Sequence, residues 1–595
     1  MVNADLRRRN LAALRAFQPE AAGFVEAADI PPGVIEALGR DGSWTFRVPD
    51  SDGILRWLGG SSMPSVSVAE LLGGFFSNGE NVALPGVLTG FEAIFIASRL
   101  PQHCALFVLE PDAVAAALAL RLYDYADWIV RGQLVFILGA DLDGSLRDFF
   151  SAHPGYRMPA TLLTGPQRTA SEITVLQRVL EHAAPIVAAA QDQVTADIRA
   201  RLGEPRRLRS SDRPRAAVVS TDAGPMTRVQ AERVDQALTE LDWAHETYIP
   251  DRPDKCHIVS RMKAVERAEA DWVLALNCPS GSISPFLPPE IPVASWTLPG
   301  TGPFTVEAPA PAEFGFASCR GDRTRWPDSH RVCDCAVAAG RPPADWVRQR
   351  SGTARAAVFM DLPEVRAEAL NITLPSHVAF WHSLLERSAA EEHRGDGSVA
   401  ENWFARAAAE SGTPMHDTQV REYFLKLIRV CVVPYAAGLR AARTLSQAGF
   451  STSTWGANWP VVRQASGRGP IPLGRDLWQA LGEAELAVFP EPTPFFVQTS
   501  LDALSIGTDV LLRGTPAWFV EEHVGLEEVT PFLGFYESSN DLVEAARRLR
   551  YDADGASAKR RQAAALLVSR RHSMAGRLQA IAEIMQRGAV PCGPS

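Results

Sequence analysis

Short apolar runs alternate along this chain with longer segments in which apolar positions recur every three to four residues. In the first part the runs at 81–84, 105–112 and 134–141 predict buried strands, with an Ala-rich helix between the second and the third. Strands that are apolar throughout and separated by helices indicate a parallel sheet covered on both faces. We therefore predict an accessory Rossmann-like α/β domain over residues 1–165.

A connecting segment follows at residues 166–214. Apolar positions with helical spacing predict a long helix over 170–202, in which Pro185 introduces a kink. The polar and charged stretch 203–215 that comes next is typical of a linker. We take it as a domain boundary.

A second α/β domain is predicted over residues 215–350. Its pattern begins with a strand, a glycine turn and an amphipathic helix at 215–241, and continues with apolar strands at 271–279 and 291–300. The stretch 300–345 is rich in Pro, Gly and Arg, so we expect it to be irregular.

A third α/β domain is predicted over residues 351–595. It opens with a strand at 354–363, contains a helical insert at about 376–427 and ends in a C-terminal helix at 556–587. The elements predicted between them are a strand, turn and helix at 430–450, strands at 484–492 and 509–516, and a helix at 499–507. The expected fold class is therefore α/β, with two tandem Rossmann-like domains preceded by an additional one.

Composition and charge exclude several classes of protein. The 595 residues carry 59 basic and 69 acidic side chains, a formal net charge of -10, and 46% hydrophobic residues. This balance is globular, and its acidic sign argues against nucleic acid as a partner. No apolar run is long enough to cross a membrane, and the start has no apolar core of a signal peptide. Eight scattered cysteines fit a reducing compartment, so we expect a cytoplasmic protein.

One cluster of cysteines and histidine invites comparison with zinc sites. His330, Cys333 and Cys335 lie close together, with Cys319 upstream. A structural zinc site needs four ligands, usually as spaced pairs, and this spacing does not supply them. We expect no metal.

Three glycine turns follow predicted strands, at Gly86 with Gly90, at Gly224 and at Gly438. Such turns let helix N-termini approach a phosphate at the carboxyl ends of parallel strands. Glu110 lies 24 residues after Gly86, the spacing at which an acidic residue binds ribose hydroxyls. The degenerate glycine loop favours a vestigial or structural Rossmann-like domain. The alternative is a ligand site, such as the cofactor site of an S-adenosylmethionine-dependent methyltransferase.

The third domain carries the most informative motifs. TSLDALSIG (499–507) and HSMAGR (572–577) stand in that order after the strand ending in WGANW, and no lipase, zinc-protease or P-loop signature is present. Over about 215–590 the chain resembles bacterial GT-B glycosyltransferases, in particular the CgeB-type spore-maturation group with its group 1 C-terminal domain.

The resemblance implies a GT-B fold and a metal-independent glycosyltransferase, with a nucleotide-sugar as substrate and no cofactor. It assigns the ribose-binding carboxylate to Asp502. Family members commonly have a second acid eight residues earlier, where this chain has Pro494, so we take the nearest upstream acid, Glu491, as the candidate for donor binding. The turn amides from Tyr435 to Gly438 and a helix N-terminus near Thr499 would stabilise the diphosphate.

Two further residues have an alternative structural explanation. Asp222, after the first strand of the second domain, is our candidate for the base that activates the acceptor, and it also fits an N-cap. Asn458 fits contact with the donor, and WGANWP also fits a packed turn with Trp455 and Trp459 in the core.

The first domain is similar to motility-associated factors, which glycosylate flagellin, through the run LTGFEAIFIASRLPQHCALFVLEPD (88–112). This implies a protein acceptor, such as flagellin, or a surface glycan. Thr499, Asp502 and Leu298 replace residues that the GT-B group usually has. A non-catalytic GT-B binding scaffold is therefore an alternative to the glycosyltransferase. The sequence does not fix the oligomeric state.

Overall fold

The structure is a computed structural model of the whole chain. It describes residues 4–72, 77, 79–163, 168–203, 214–222, 224–278, 282–297, 313–317, 332–335, 337–343, 346, 355–391, 399–413, 417–491, 493–550 and 556–586.

Contacts divide the chain into two compact units. The first unit consists of residues 1–223, 245–273 and 282–291, and the second of 224–244, 274–281 and 292–595. The predicted linker at 203–215 falls almost entirely outside the described residues.

The first unit contains a parallel sheet in the order β6-β5-β4-β7. Its strands are β4 (Val82–Leu84), β5 (Leu106–Glu110), β6 (Leu134–Leu138) and β7 (Thr161–Leu162), and its helices are α1 (Ala4–Phe17), α2 (Pro19–Glu26), α3 (Pro64–Leu72), α4 (Phe91–Ala97), α5 (Ala113–Ala119), α6 (Ala126–Val130) and α7 (Leu142–Ala152). Val82 and Leu84 face one buried cluster and Ala83 the other, so the sheet is covered on both faces as predicted.

A small antiparallel sheet, which the sequence pattern did not reveal, precedes this one. Its strands are β1 (Ile35–Leu38), β2 (Trp44–Pro49) and β3 (Leu55–Trp57). Three of the four β1 residues are exposed. Such strands do not form the long apolar runs by which buried strands are recognised.

The long helix α8 (Ala170–Gly203) also belongs to the first unit, with Pro185 inside it. It packs against α7 and against α10 (Ile258–Arg267). Gln191 of α8 is buried and donates to the carbonyl oxygens of Pro154 and Tyr156 at 2.9 and 2.8 Å. The helix therefore packs within the first unit, against an element that precedes it in the chain and against one that follows it.

A second sheet has the order β13-β12-β11-β10-β8-β9. Its strands are β8 (Arg215–Val219), β9 (Ala244–Tyr248), β10 (Trp272–Leu276), β11 (Val293–Trp296), β12 (Glu313–Ala317) and β13 (Val332–Asp334), and helix α9 (Pro225–Glu240) follows β8. The division between the two units falls inside β10. The prediction that 300–345 is irregular was wrong at β12 and β13, which pair in parallel with their neighbours.

A third parallel sheet lies within the second unit and has the order β16-β15-β14-β17-β18-β19. Its strands are β14 (Arg355–Phe359), β15 (Ser451–Trp455), β16 (Ala465–Gly467), β17 (Leu486–Phe489), β18 (Asp509–Arg513) and β19 (Leu533–Tyr536). Numbered from β14, the strands run 3-2-1-4-5-6, the order of the dinucleotide-binding fold.

Helices surround this sheet. They are α11 (Pro375–Ala390), α12 (Val399–Ser411), α13 (Thr418–Leu427), α14 (Val433–Gln447), α15 (Arg475–Glu483), α16 (Pro494–Ser505), α17 (Pro516–Glu522), α18 (Ser539–Arg550), α19 (Ala556–Arg571) and α20 (Met574–Gln586). The predicted helical insert corresponds to α11, α12 and α13. The single C-terminal helix expected at 556–587 is two helices, separated at His572 and Ser573.

The strand expected at the start of 430–450 was wrong. A single π-helical turn at Ile428–Val432 leads directly into α14. The apolar run VCVV resembles a strand, but Cys431 and Val432 are buried in a helical context, and Pro434 is tolerated in the first turn of α14.

The predicted fold class is confirmed. The fold is mixed α/β, and two six-stranded Rossmann-like sheets follow a smaller one along the chain, the order expected of a GT-B fold with an additional domain. In the part of the chain that the structure describes, no helix is long and apolar enough to cross a membrane.

Candidate functional site

The third sheet reverses its winding between β14 and β17. Strand β14 pairs with β15 on one side and with β17 on the other, so the chain leaves the middle of the sheet in both directions. Doubly wound sheets bind ligands outside the carboxyl ends of the strands at such a point. Asp361 lies two residues beyond the end of β14, and Glu491 lies two residues beyond the end of β17.

Several hydrogen bonds join the turn after β15 to the segment after β14, and three of them involve a side chain. The Ala457 amide donates to Asp361 Oδ1 at 2.7 Å, Asn458 Nδ2 donates to the Leu362 carbonyl at 2.9 Å, and Trp459 Nε1 donates to the Met360 carbonyl at 2.8 Å. Trp459 packs against the core, as expected of a packed turn. Asn458 is exposed, and its amide nitrogen is engaged in this turn.

Glu491 follows β17 and is half-buried. Burial raises the pKa of its carboxyl, and the charge of Arg513, at the end of neighbouring β18, opposes that shift. Thr493 is the N-cap residue of α16, so the positive end of this helix begins beside Glu491 at the same edge of the sheet. An acid, a guanidinium and a helix N-terminus thus meet outside the carboxyl ends of the strands.

Asp361 and Arg513 were missed by sequence reasoning. Each stands at the end of an apolar run that was recognised as a strand. Their positions could have been used to find them, because the carboxyl ends of parallel strands lie at one edge of a sheet and polar residues there are brought together.

Tyr435 and Gly438 lie inside α14, so the expected glycine turn with free amides was wrong. The structure nevertheless places them at this edge. A Cβ on Gly438 would lie 2.6 Å from Leu362 Cδ2 and 2.9 Å from Met360 Sδ, which explains the glycine as a close contact between helix and strand end. Tyr435 packs against the same core.

The helix expected to begin near Thr499 begins at Pro494, so the expected N-terminus was misplaced. Thr499 and Asp502 lie in the body of α16 and are buried. Asp502 Oδ2 forms an ion pair with Arg233 Nη2 at 2.6 Å, and Oδ1 accepts a hydrogen bond from the Gly340 amide at 2.8 Å. Both carboxylate oxygens therefore have protein partners, and the ribose contact assigned to Asp502 stays a prediction.

Asp222 lies in the segment after β8 and its side chain is exposed. Its amide donates to Ser220 Oγ at 3.2 Å. The N-cap of α9 is Gly224, without a side-chain cap, so the alternative explanation of Asp222 as an N-cap was wrong. Its role as a base stays a prediction.

Gly86 and Gly90 form the loop between β4 and α4, both with positive φ, of 95° and 83°. Glu110 ends β5 and is buried next to this loop, with its Oε2 accepting from the Val87 amide at 3.0 Å. The Gly90 carbonyl accepts a hydrogen bond from Tyr125 Oη at 2.8 Å. The structure thus brings Gly86 and Glu110 together, as the spacing predicted.

The candidate zinc ligands His330 and Cys319 lie outside the described residues, whereas Cys335 is buried. Within the described ranges, no group of three or more His, Cys, Asp or Glu side chains could hold a metal ion.

Comparisons with known proteins give only distant structural likeness. No family model matches the chain, and no curated protein does. Similar solved structures include a glycosyltransferase of avilamycin A biosynthesis, at 13% identity over 63% of this chain and 97% of that one, with a TM-score of 0.31.

Two others are an O-GlcNAc transferase variant from Thermobaculum terrenum and a glycosyltransferase from Rickettsia africae. The first has 13% identity, covers 84% of this chain and 90% of its own, and gives a TM-score of 0.30. The second has 10% identity, covers 62% of this chain and 97% of its own, and gives a TM-score of 0.34. At these values the likeness does not establish a shared activity.

Proposed function

We propose that this protein transfers a glycosyl group from a nucleotide-sugar to a protein or surface-glycan acceptor, without a metal. The observation that carries the proposal is the strand order of the third sheet, which puts Glu491, Arg513 and the N-terminus of α16 at one edge. The resemblance of TSLDALSIG and HSMAGR to GT-B glycosyltransferases supports it independently of that geometry.

Each of these groups has a chemical task in the proposal. Arg513 and the first-turn amides of α16 offer positive charge to a diphosphate, whose charge grows as the glycosyl bond breaks. The Glu491 carboxylate offers a hydrogen-bond acceptor to hydroxyl groups of the sugar. The burial that raises its pKa also strengthens such a bond, because the local dielectric is low.

The test is calorimetric binding of UDP-, GDP-, CMP- and dTDP-sugars to the full chain, with Glu491→Gln as the variant. We expect one nucleotide class to bind, and Glu491→Gln to weaken the nucleotide-sugar about tenfold or more while the free nucleotide binds as before. Glu485→Gln is the matched control, because Glu485 is exposed at the other end of the same strand.

Catalysis is measured as nucleotide release from the bound donor, with and without EDTA. Release that persists in EDTA and falls in Glu491→Gln is the expected result. If no nucleotide-sugar binds, the proposal is wrong, and a non-catalytic scaffold becomes the better description.

A further inference from the structure

The first unit contains a cavity of about 290 Å³ at the carboxyl ends of β4 and β5. One wall is the loop after β4, with Val87 and Leu88. Another is formed by β2, β3 and the turn that follows β3. Parallel sheets of this order bind ligands at this edge.

Two glycines stand where residues that line the cavity approach closely. A Cβ on Gly59 would lie 2.4 Å from the carbonyl carbon of Leu88. A Cβ on Gly86 would lie 2.2 Å from Arg168 Nη2 and 2.6 Å from Glu110 Oε2. A side chain at Gly59 would force the backbone at Leu88 to move, whereas one at Gly86 would displace the ends of the Arg168 and Glu110 side chains that line the cavity.

One end of the cavity is polar. Glu110, 1% exposed, accepts hydrogen bonds from the Val87 amide at 3.0 Å and the Asp112 amide at 2.9 Å, and Arg168 Nη2 lies 3.3 Å from its Oε2. A carboxylate has about four acceptor directions, so these donors leave room for one more, and the arginine contact is the longest. Arg168 is 24% exposed and lines the same cavity.

The other end of the cavity is apolar. Leu58 and Leu118 are buried there, beside Val48, Val114 and Ala115. Apolar walls with a few fixed polar groups are typical of small-molecule sites, which usually have volumes of about 300–1,000 Å³. The volume of 290 Å³ lies just below that range, so it suits one nucleoside and is too small for a dinucleotide.

We propose that this cavity binds a nucleoside that carries an anionic group. The base would occupy the apolar end, one ribose hydroxyl would donate to the remaining acceptor position of the Glu110 carboxylate, and the anionic group would pair with the Arg168 guanidinium. The anion is either a phosphate or the carboxylate of an S-adenosyl amino acid, and the chemistry of the site is common to both.

The experiment is titration calorimetry of the full chain with AMP, GMP, CMP, UMP and S-adenosylmethionine, and with the matching neutral nucleosides. We expect one ligand to bind, its neutral nucleoside to bind about tenfold or more weakly, and Arg168→Met to remove that difference. Binding of a nucleotide would identify the anion as a phosphate, and binding of S-adenosylmethionine would identify it as a carboxylate.

Two variants address the cavity in different ways. Glu110→Gln removes the charge that ribose would contact, and Ala115→Phe fills the apolar end without touching any of the hydrogen bonds. Each is expected to weaken the ligand about tenfold or more, and the Ala115→Phe result stands even if Glu110→Gln fails to fold. Arg513→Met, in the other unit, removes the charge proposed to contact phosphate at the third sheet, and it is the control that should leave this affinity unchanged.

The proposal is overturned if none of the five ligands binds with a dissociation constant below about 1 mM. It is also overturned if the ligand that binds retains its affinity in Ala115→Phe. Loss of binding in Arg513→Met but not in Ala115→Phe would assign the ligand to the third sheet, which separates this result from the outcome for the proposed function.

Discussion

Glu92 is a fully buried carboxyl group in the first unit. Its Oε2 accepts hydrogen bonds from the amide and hydroxyl of Thr89 at 3.0 and 2.6 Å, while Oε1 is buried without a protein partner. Burial raises the pKa of Glu92 to about 7, and the bonds from Thr89 oppose that shift. The folded protein therefore keeps this group protonated at pH values where the unfolded chain ionises it.

This group makes stability fall as pH rises. Below about pH 4.5 both states are protonated, and between 4.5 and 7 only the unfolded state loses the proton, so about 3 kcal/mol is lost across that window. We expect Glu92→Gln to remove this loss, measured as urea unfolding free energies at several pH values. Glu20→Gln, at an exposed position, should keep the wild-type slope, and an unchanged slope in Glu92→Gln would contradict the assignment.

Gly456, in the turn after β15, lies against the segment after β14. A Cβ there would be 1.8 Å from the Met360 carbonyl oxygen, and φ is +142°. Gly469 has φ of +90° but open space around it. We expect Gly469→Ala to cost about 1 kcal/mol, from backbone strain alone, and Gly456→Ala more than about 3 kcal/mol, since backbone must also move.

Thermal and urea unfolding of the two glycine variants provide the measurement. The Ala457 amide donates to Asp361, so displacement of this turn also moves the edge of the third sheet. Gly456→Ala should therefore weaken the nucleotide-sugar binding proposed there. Equal stability losses in both variants would mean that the turn moves away at little cost.

At the scale of elements, helices α16 and α9 are joined by a buried ion pair. Asp502 is 0% and the Arg233 side chain 10% exposed, and the two residues are 269 positions apart in sequence. Burial raises the pKa of Asp502, and the charge of Arg233 opposes that shift. Removing one partner leaves the other charge buried, which typically costs 3–5 kcal/mol, about the range we expect for Asp502→Ala.

The double variant Arg233→Met with Asp502→Leu separates charge from packing. We expect it to recover most of the stability lost in Asp502→Ala, because apolar pairs of similar volume replace buried ion pairs well. The measurement is the unfolding free energy in urea. A double variant no more stable than Asp502→Ala would show that the helices depend on the Gly340 hydrogen bond instead.

The sequence predicts elements well where they are apolar and local. Strands β4, β5, β6, β14 and β17 follow from apolar runs, because each is buried on both faces of its sheet. The same rule failed for the run VCVV, which neighbouring helices keep helical. It could not find β1, whose residues are mostly exposed.

The candidate site follows the same division. The position of Glu491 after a strand, and the pairing of Gly86 with Glu110, depend on local order and could be read from spacing. The environment of Asp502 could not, because Arg233 comes from a distant helix. A carboxylate in a recognised motif has the same sequence signal whether a ligand or an arginine faces it.

At the scale of the whole molecule, the C-terminal helix α20 packs on α9, although more than 300 residues lie between them. Leu578 and Ile581 of α20 are fully buried. At the start of α20 the Met574 amide donates to the Ala339 carbonyl at 3.1 Å, and the Ala339 amide donates to the His572 carbonyl at 2.8 Å. Helix α20 thus contributes to the core of the second unit.

A chain ending at Ser573 should therefore lose stability in the second unit. The truncation removes Met574, Leu578 and Ile581, whose burial contributes about 5 kcal/mol or more to stability. The amides of α9 should then exchange hydrogen much faster. Amides of β4 to β6, in the first unit, should exchange as before. A chain ending at Gln586 retains all of α20 and is the control. Unchanged exchange in α9 would mean that this helix is held by Arg233 and its other contacts alone, and that α20 is dispensable.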